Sequence, residues 1–346
     1  MTPLNAIYFY NKTCNLACKH CWIVPSENRK SDSDLTFDDI KQLFLQGKEL
    51  GMKSVKFSGG EPLLLPDIKD ILQFLIDEKI HLIIETNGTL INDEIAELLK
   101  KANAFVSISL DGPNAEVHSF LRINKDSFSK AVNGINLLVN HGIRPQIIFS
   151  VHKKNEKYLP EMIDLSRSLN ANSMKINFIM DLGRGEKMSH ENELLSVKES
   201  FELFNSFKNK TEYDGFKVIF DVPPAFCSIS DLNKSSHTCG IKGIIGVLSD
   251  GDVSICGIGN VKKDLVLGNI REISLKEIWE KNQTVCFIRE NIPNKLEGIC
   301  QKCILRNACL GKCVAKTFND TDNFLSGNPF CEEAYKHGLF PLNRLI

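Results

Sequence analysis

The chain has 346 residues, 42% of them apolar, which is enough for one large domain or two smaller ones around a real core. Its 42 Lys and Arg stand against 43 Asp and Glu with no long like-charge block, which excludes a surface that attracts nucleic acid or anionic lipid through bulk charge. No basic segment followed by an apolar stretch opens the chain and no apolar run reaches membrane-spanning length, so the reading is a cytoplasmic protein with no nucleic-acid and no membrane partner.

In chain order, "AIYFYN", "SVKFS", "HLIIETN", "FVSISLD", "RPQIIFSV" and "SMKINFIM" have the length and β-branched or aromatic content of strands. Segments of helical period lie between them. Thr36 to Leu50 places Phe37, Ile40, Leu43 and Phe44 on one face, with Thr36 and Asp39 forming an N-terminal cap. "FLIDEK", "EIAELLKK", "AVNGINLLVNHG" and "YLPEMIDLSRSLN" continue the alternation, the third stopped by Gly142. Strand-helix alternation predicts an α/β fold on a parallel sheet, as an open doubly wound sheet or part of a β/α barrel. The polar runs "CNLACKHC", "SGGEP", "TNG" and "DGP" each follow a strand, at the edge where parallel folds collect ligands. The alternation stops near Pro223 and Pro224, which predicts a boundary there.

Twelve cysteines are unusual for a reducing compartment, where metal ligation is a better use of thiols than disulfides. Cys14, Cys18 and Cys21 stand together, none occurs between Cys21 and Cys227, and nine crowd the last third. Three closely spaced thiolates can hold three irons of a cubane and leave the fourth for a small molecule. Tetrahedral zinc wants a fourth protein ligand, and His20, between two ligands, is sterically awkward for that role.

With "SGGEP" downstream, the Cys-x3-Cys-x2-Cys run resembles the signature of the radical S-adenosylmethionine (radical SAM) superfamily. The resemblance implies a partial (β/α)6 barrel over residues 1–222, with a cluster on Cys14, Cys18 and Cys21 whose free iron chelates S-adenosylmethionine. It assigns Ser58, Gly59, Gly60 and Glu61 to the turn against the methionine group, where missing side chains at the glycines admit backbone carbonyls. It puts Ser109 and Asp111 at the ribose and makes Arg122 a carboxylate partner with a bidentate fork. Thr86 and Asn87 orient the cofactor or cap the next helix. "NFIMDLGRGE" is similar only loosely to the family's adenine-contacting stretch.

Residues 223–346 resemble the SPASM extension of radical enzymes that mature peptides and proteins. The spacing is Cys239-x11-Gly251-x4-Cys256, then Cys300-x2-Cys303-x5-Cys309-x3-Cys313, and Cys331 after 17 more residues. "LSDGDVSIC" reads as a hairpin turning at Asp250 and Gly251 that delivers Cys256. The resemblance implies two auxiliary clusters, one on Cys300, Cys303, Cys309 and Cys331 and one on Cys239, Cys256 and Cys313, making three [4Fe-4S] clusters with the first. Structural zinc is the rival for both. Cys227 is a fourth ligand of the incomplete group, a hydrogen donor facing the radical site with Asp221 assisting, or a structural thiol; Cys286 is a small buried residue.

The function implied is cleavage of S-adenosylmethionine to a 5′-deoxyadenosyl radical that modifies a ribosomally made peptide by cross-link, thioether, oxidation or epimerisation. A one-electron donor such as flavodoxin or ferredoxin is implied as a partner. The chain opens almost directly on the first strand, so leader recognition would need a separate protein or be unnecessary. The alternatives are an anaerobic sulfatase maturase, a haem or quinone-cofactor maturase, and a non-enzymatic zinc scaffold. The sulfatase group follows the second auxiliary cysteine with an aspartate base, whereas Gly257 stands here.

Overall fold

The computed structural model describes residues 2–25, 34–207, 212–213, 215–228, 232 and 239–346. All six expected strands form: β1 (Ala6–Asn11), β2 (Ser54–Gly59), β3 (His81–Thr86), β4 (Phe105–Ser109), β5 (Gln146–Val151) and β6 (Ser173–Phe178). Between them stand helices α1 (Phe37–Glu49), α2 (Ile68–Asp77), α3 (Asp93–Lys101), α4 (Ala115–Arg122), α5 (Ser127–Asn140) and α6 (Leu159–Ser168). Local chemistry sets their ends. Thr36 accepts from the Asp39 N–H while Asp39 accepts from the Thr36 N–H, a reciprocal cap, and Gly142 takes φ +76° just past α5. Ile40, Leu43 and Phe44 of α1 are buried, with Phe44 against Phe9 and Phe57. Each fully buried side chain of this kind stabilises by about 1.5–3 kcal/mol.

Two further strands follow α6, β7 (Glu212–Tyr213) and β8 (Phe216–Phe220), and three more come from the cysteine-rich part: β9 (Ile244–Leu248), β10 (Asp252–Ser254) and β11 (Val266–Asn269). The sheet order is β11-β10-β9-β1-β2-β3-β4-β5-β6-β8-β7. From β9 to β8 neighbouring strands run parallel; β10, β11 and β7 are antiparallel additions at the edges. The hairpin turns at Gly251, φ +89°, and β9 lies in register on β1, Ala6 opposite Ile244. The chain's last third therefore extends the sheet of its first two thirds.

The loops after β1, β2, β3, β6 and β8 all border one cavity, so the sheet curls around it as a partial barrel rather than lying open. Among the described residues no helix is long and apolar enough to cross a membrane.

Candidate functional site

The loop after β1 is laced to the loop after β2. Buried Asn11 donates through Nδ2 to the Glu61 carbonyl at 2.7 Å, Gly60 N–H donates to Asn11 O at 2.6 Å, and Glu61 N–H donates to Thr13 O at 2.8 Å. Glycine is required at both positions before Glu61. A Cβ at Gly60 would lie 2.0 Å from Thr13 O, and one at Gly59, where φ is +103°, 2.5 Å from Asn11 O. This lacing fixes the segment carrying Cys14, Cys18 and Cys21, all three of which line the cavity.

Burial pushes the Cys14 thiol up to about 12, with Cys18 and Cys21 adding to the shift. Burial also raises Cys18, opposed by Arg122, whose Nη1 lies 3.6 Å from its sulfur. Thiols that resist ionisation alone, as Cys14 and Cys18 do, are ionised most readily by a metal centre, which suits an iron-sulfur cluster. Among the described residues no three His, Cys, Asp or Glu side chains converge on the point that a single ion would occupy.

The cofactor-binding candidates fall into two layers. Ser58, Gly59, Gly60, Thr86, Asn87, Ser109 and Arg122 line the cavity. Glu61 and Asp111, both fully buried, stand behind it. Glu61 accepts from Thr86 Oγ1 at 2.7 Å, Asn87 N at 2.8 Å and Leu63 N at 3.0 Å, tying the β2 loop to the β3 loop. Burial raises its pKa, offset in part by these donors. Asp111 accepts from Arg122 Nε at 2.5 Å and from Ser150 N at 2.8 Å. Burial would raise Asp111, but Arg122, with His20 and His118, holds it down at about 2. Arg122 thus bridges Asp111 and Cys18 at the end of α4. Asn87 donates to Asn15 Oδ1 at 2.8 Å, inside the loop that carries the thiols. Ser58 donates to Glu85, which pairs with Lys56 at 2.6 Å.

Two polar atoms among these walls lack partners. His20 Nδ1 and Asn177 Oδ1 are buried without a hydrogen bond, and both residues line the cavity. Burial takes the His20 pKa down to about 3, so its ring is neutral. Unsatisfied groups of this kind suit a polar ligand such as a nucleoside. The thiols, the glycine cradle and these atoms together fit a cluster with S-adenosylmethionine.

The cysteine-rich part forms two further groups. Cys239, Cys256 and Cys313 are close enough to disfavour one another's ionisation; burial is the main cause and takes Cys239 up to about 12. Cys300, Cys303, Cys309 and Cys331 form the other, lining a small apolar void, with burial again dominant at Cys331 and the three companions adding. The separation of Cys309 from Cys313 has a backbone cause. Leu310, Gly311 and Lys312 take φ of +56°, +78° and +59°, a left-handed run that throws the flanking thiols apart. Asn328 knits the second group: its N–H meets Cys300 Sγ at 3.3 Å, its Nδ2 meets Gly311 O at 3.2 Å and its Oδ1 takes the Cys331 N–H at 3.3 Å.

The cavity, about 670 Å³, runs from the first thiols to Cys313. At that end Asp221 pairs with Lys312 at 2.5 Å and Lys175 at 3.6 Å, and Lys316 pairs with Asp181 at 2.8 Å. Cys227 is buried in the main core just past the turn Pro224–Phe226, its carbonyl taking Arg344 Nη2 at 3.0 Å. Cys286 is half-buried, its thiol directed at Glu280 O, 3.3 Å away. Gly257 has no room for a side chain: a Cβ would stand 2.7 Å from Tyr10, 2.8 Å from Trp22 and 2.9 Å from Ile23.

Sequence reading missed Lys312 and Lys316, which line the cavity. It also missed Trp22, a cavity wall, and His118, whose Nδ1 accepts the Asp111 N–H at 3.1 Å. The adjacency of Trp22 to Cys21 was the available signal for the first of these.

Comparison with known proteins follows the same division. A family profile described as the radical SAM superfamily matches residues 8–166, and SPASM, an iron-sulfur cluster-binding domain, matches 239–304. The chain is similar to an AdoMet-dependent heme synthase of Methanosarcina barkeri, 29% identical across 92% of this chain and 93% of that one. It is equally similar, at 29%, to the antilisterial bacteriocin subtilosin biosynthesis protein AlbA of Bacillus subtilis, across 92% of this chain and 68% of that one. SuiB of Streptococcus suis, solved bound to precursor peptide SuiA, shares the fold with a TM-score of 0.73 at 17% identity, covering 96% of this chain and 76% of that one. The chain belongs to the radical SAM superfamily, as an enzyme that uses S-adenosylmethionine and iron-sulfur clusters and carries a SPASM cluster-binding domain.

Proposed function

We propose that this enzyme modifies a ribosomally made peptide, installing a cross-link, thioether, oxidation or epimerised centre. The observation that carries the reading is the single cavity reaching from Cys14, Cys18 and Cys21 to Cys313, so that one substrate side chain can lie between the two thiol groups. Pockets that bury one drug-sized ligand span about 300–1,000 Å³. A cavity of about 670 Å³ has room for the cofactor with a peptide side chain. AlbA, by its name, serves bacteriocin biosynthesis, and SuiB binds a precursor peptide, which supports the same class.

On this reading residues 1–222 form the radical domain and 223–346 the SPASM domain, with three [4Fe-4S] clusters. Cys14, Cys18 and Cys21 hold the first; Cys239, Cys256 and Cys313 hold the second, with Cys227 as its candidate fourth ligand; Cys300, Cys303, Cys309 and Cys331 hold the third. Bound at the first thiols, S-adenosylmethionine supplies a 5′-deoxyadenosyl radical that abstracts hydrogen from an unactivated carbon. The chain's own residues orient and screen. Gly59 and Gly60 admit backbone to the methionine group; Ser58, Thr86, Asn87, Ser109 and Arg122 fix the cofactor; Glu61 and Asp111 hold those residues in place. Asp221, which lines the cavity and pairs with Lys312, is the candidate carboxylate to assist the chemistry there. The electron comes from a flavodoxin- or ferredoxin-type donor.

A second reading, haem maturation, has a specific observation behind it: the match to heme synthase extends over nearly the full length of both chains. Sulfatase maturation is disfavoured because Gly257 stands where that group carries its aspartate base. The test is to give the anaerobically reconstituted enzyme a reductant, S-adenosylmethionine and either a candidate precursor peptide or an iron porphyrin with propionate side chains, and to follow both by mass spectrometry. A mass change confined to the peptide supports the reading; conversion of the porphyrin alone overturns it.

A further inference from the structure

Glu332 is a carboxylate for which the proposed reaction has no task. It follows Cys331 in the helix Pro329–Lys336, and its side chain turns back so that Oε1 accepts the Ile299 N–H at 2.7 Å. Ile299 immediately precedes Cys300 in the short helix Gly298–Lys302. Glu332 therefore caps the segment bearing Cys300 and Cys303 while riding on the helix that bears Cys331. The slot it fills is built for it. A Cβ at Gly298 would lie 2.0 Å from Glu332 Oε1 and one at Gly327 1.9 Å, so both neighbours must be glycine for the carboxylate to enter.

The carboxylate stands at both ends of the group, next to Cys331 along the chain and on the N–H of the residue that precedes Cys300. Neither Arg306, which lines the same void and donates to Gln301 O at 3.0 Å, nor Lys312, which pairs with Asp221, is the ion-pair partner of Glu332. The Asn328 N–H on Cys300 Sγ acts in the opposite sense, stabilising negative charge on sulfur.

We propose that Glu332 is a positioning and tuning residue, which locks the Cys331 helix to the Cys300 segment and holds this four-thiol group at a lower reduction potential than a neutral side chain would. The inference rests on the reading that these thiols carry an iron-sulfur cluster. Reduction adds one electron and no proton to a centre already surrounded by thiolates, so a fixed carboxylate beside two of its ligands opposes it. Net charge and hydrogen bonds to sulfur are among the quantities that set such potentials. The group is thereby poised to pass an electron on rather than keep it.

The test uses the full-length, anaerobically reconstituted enzyme with Glu332→Gln, Glu332→Ala and Cys303→Ser, reading iron content and the midpoint of each cluster by redox-titrated paramagnetic resonance. Cys303→Ser identifies the signal of this group by altering or removing it. Glutamine keeps an oxygen for the Ile299 N–H and removes the charge. Expected for Glu332→Gln is the parent's iron content with this one signal more easily reduced, about tenfold in equilibrium constant, or about 59 mV for one electron. Glu332→Ala should lose iron from this group. An unchanged midpoint in Glu332→Gln overturns the tuning role. Loss of this group's iron in Glu332→Gln also overturns it, reducing Glu332 to a clamp that needs its charge. If Cys303→Ser leaves iron and every signal unaltered, the underlying cluster assignment fails, an outcome separate from either.

Discussion

Replacing Asp111 by Asn leaves the Arg122 guanidinium buried without its anion, because Asp111 is fully buried and Arg122 nearly so. Breaking a buried pair by removing one partner costs about 3–5 kcal/mol. For a chain of 346 residues, an unfolding entropy of about 2.1 cal/mol/K per residue converts each kcal/mol into about 1.4 °C of Tm. Asp111→Asn should therefore lower Tm by about 4–7 °C in a thermal scan of the reconstituted protein. The double variant Asp111→Asn with Arg122→Met should recover most of the loss, since the unpaired charge is gone. The pH dependence has a definite sign. The Asp111 carboxyl is held at about 2 when folded, mainly by Arg122 against the effect of burial. Its unfolded value is near 3.9. The pair's contribution is present in full above about pH 4 and is lost as pH falls through about 2. A shift below about 1 °C in Asp111→Asn, or a double variant no more stable than the single one, would refute the reasoning.

Gly60→Ala must push Thr13 away from a Cβ 2.0 Å from its carbonyl, so S-adenosylmethionine binding by equilibrium dialysis should fall more than about tenfold while the SPASM clusters keep their iron. Anaerobic reconstitution should yield about twelve irons per chain, and changing Cys14, Cys18 and Cys21 together to Ala should remove about a third; about four irons with stoichiometric zinc would contradict the two auxiliary clusters. Cys227→Ala should alter the auxiliary-cluster spectrum and slow turnover. Intact clusters with loss of solvent deuterium from the product would instead make it a hydrogen donor, and parent behaviour throughout would make it structural. Gly257→Asp, which collides with Tyr10, Trp22 and Ile23, should destabilise the protein and confer no conversion of a sulfatase-derived peptide to formylglycine.

What the sequence made legible was local or rigidly spaced. The strands from Ala6 to Phe178, the Thr36 cap and the Asp250–Gly251 turn rest on neighbours in the chain, and they form where their residues indicate. Long-range pairing was out of reach: nothing within "IIGVL" indicates that it lies beside β1 more than 230 residues earlier. Helix α4 went unread because eight residues give too little periodicity, and with it went the pairing of Arg122 with Asp111, two residues that the sequence offered only as separate cofactor contacts. Leu310 and Lys312 carry no mark of the left-handed backbone that divides Cys309 from Cys313 and turns Lys312 toward Asp221. Such a conformation is imposed by surrounding structure, not by the residues that adopt it.

The central claim is that Cys14, Cys18 and Cys21 hold the centre at which S-adenosylmethionine is reductively cleaved. It is tested most directly by incubating the reconstituted enzyme, and the variant with all three changed to Ala, with S-adenosylmethionine and a low-potential reductant, and quantifying products by chromatography. The account predicts 5′-deoxyadenosine and methionine in equal amounts from the parent and neither from the variant. Equal cleavage by both proteins, or none by a parent with its full iron content, would contradict it.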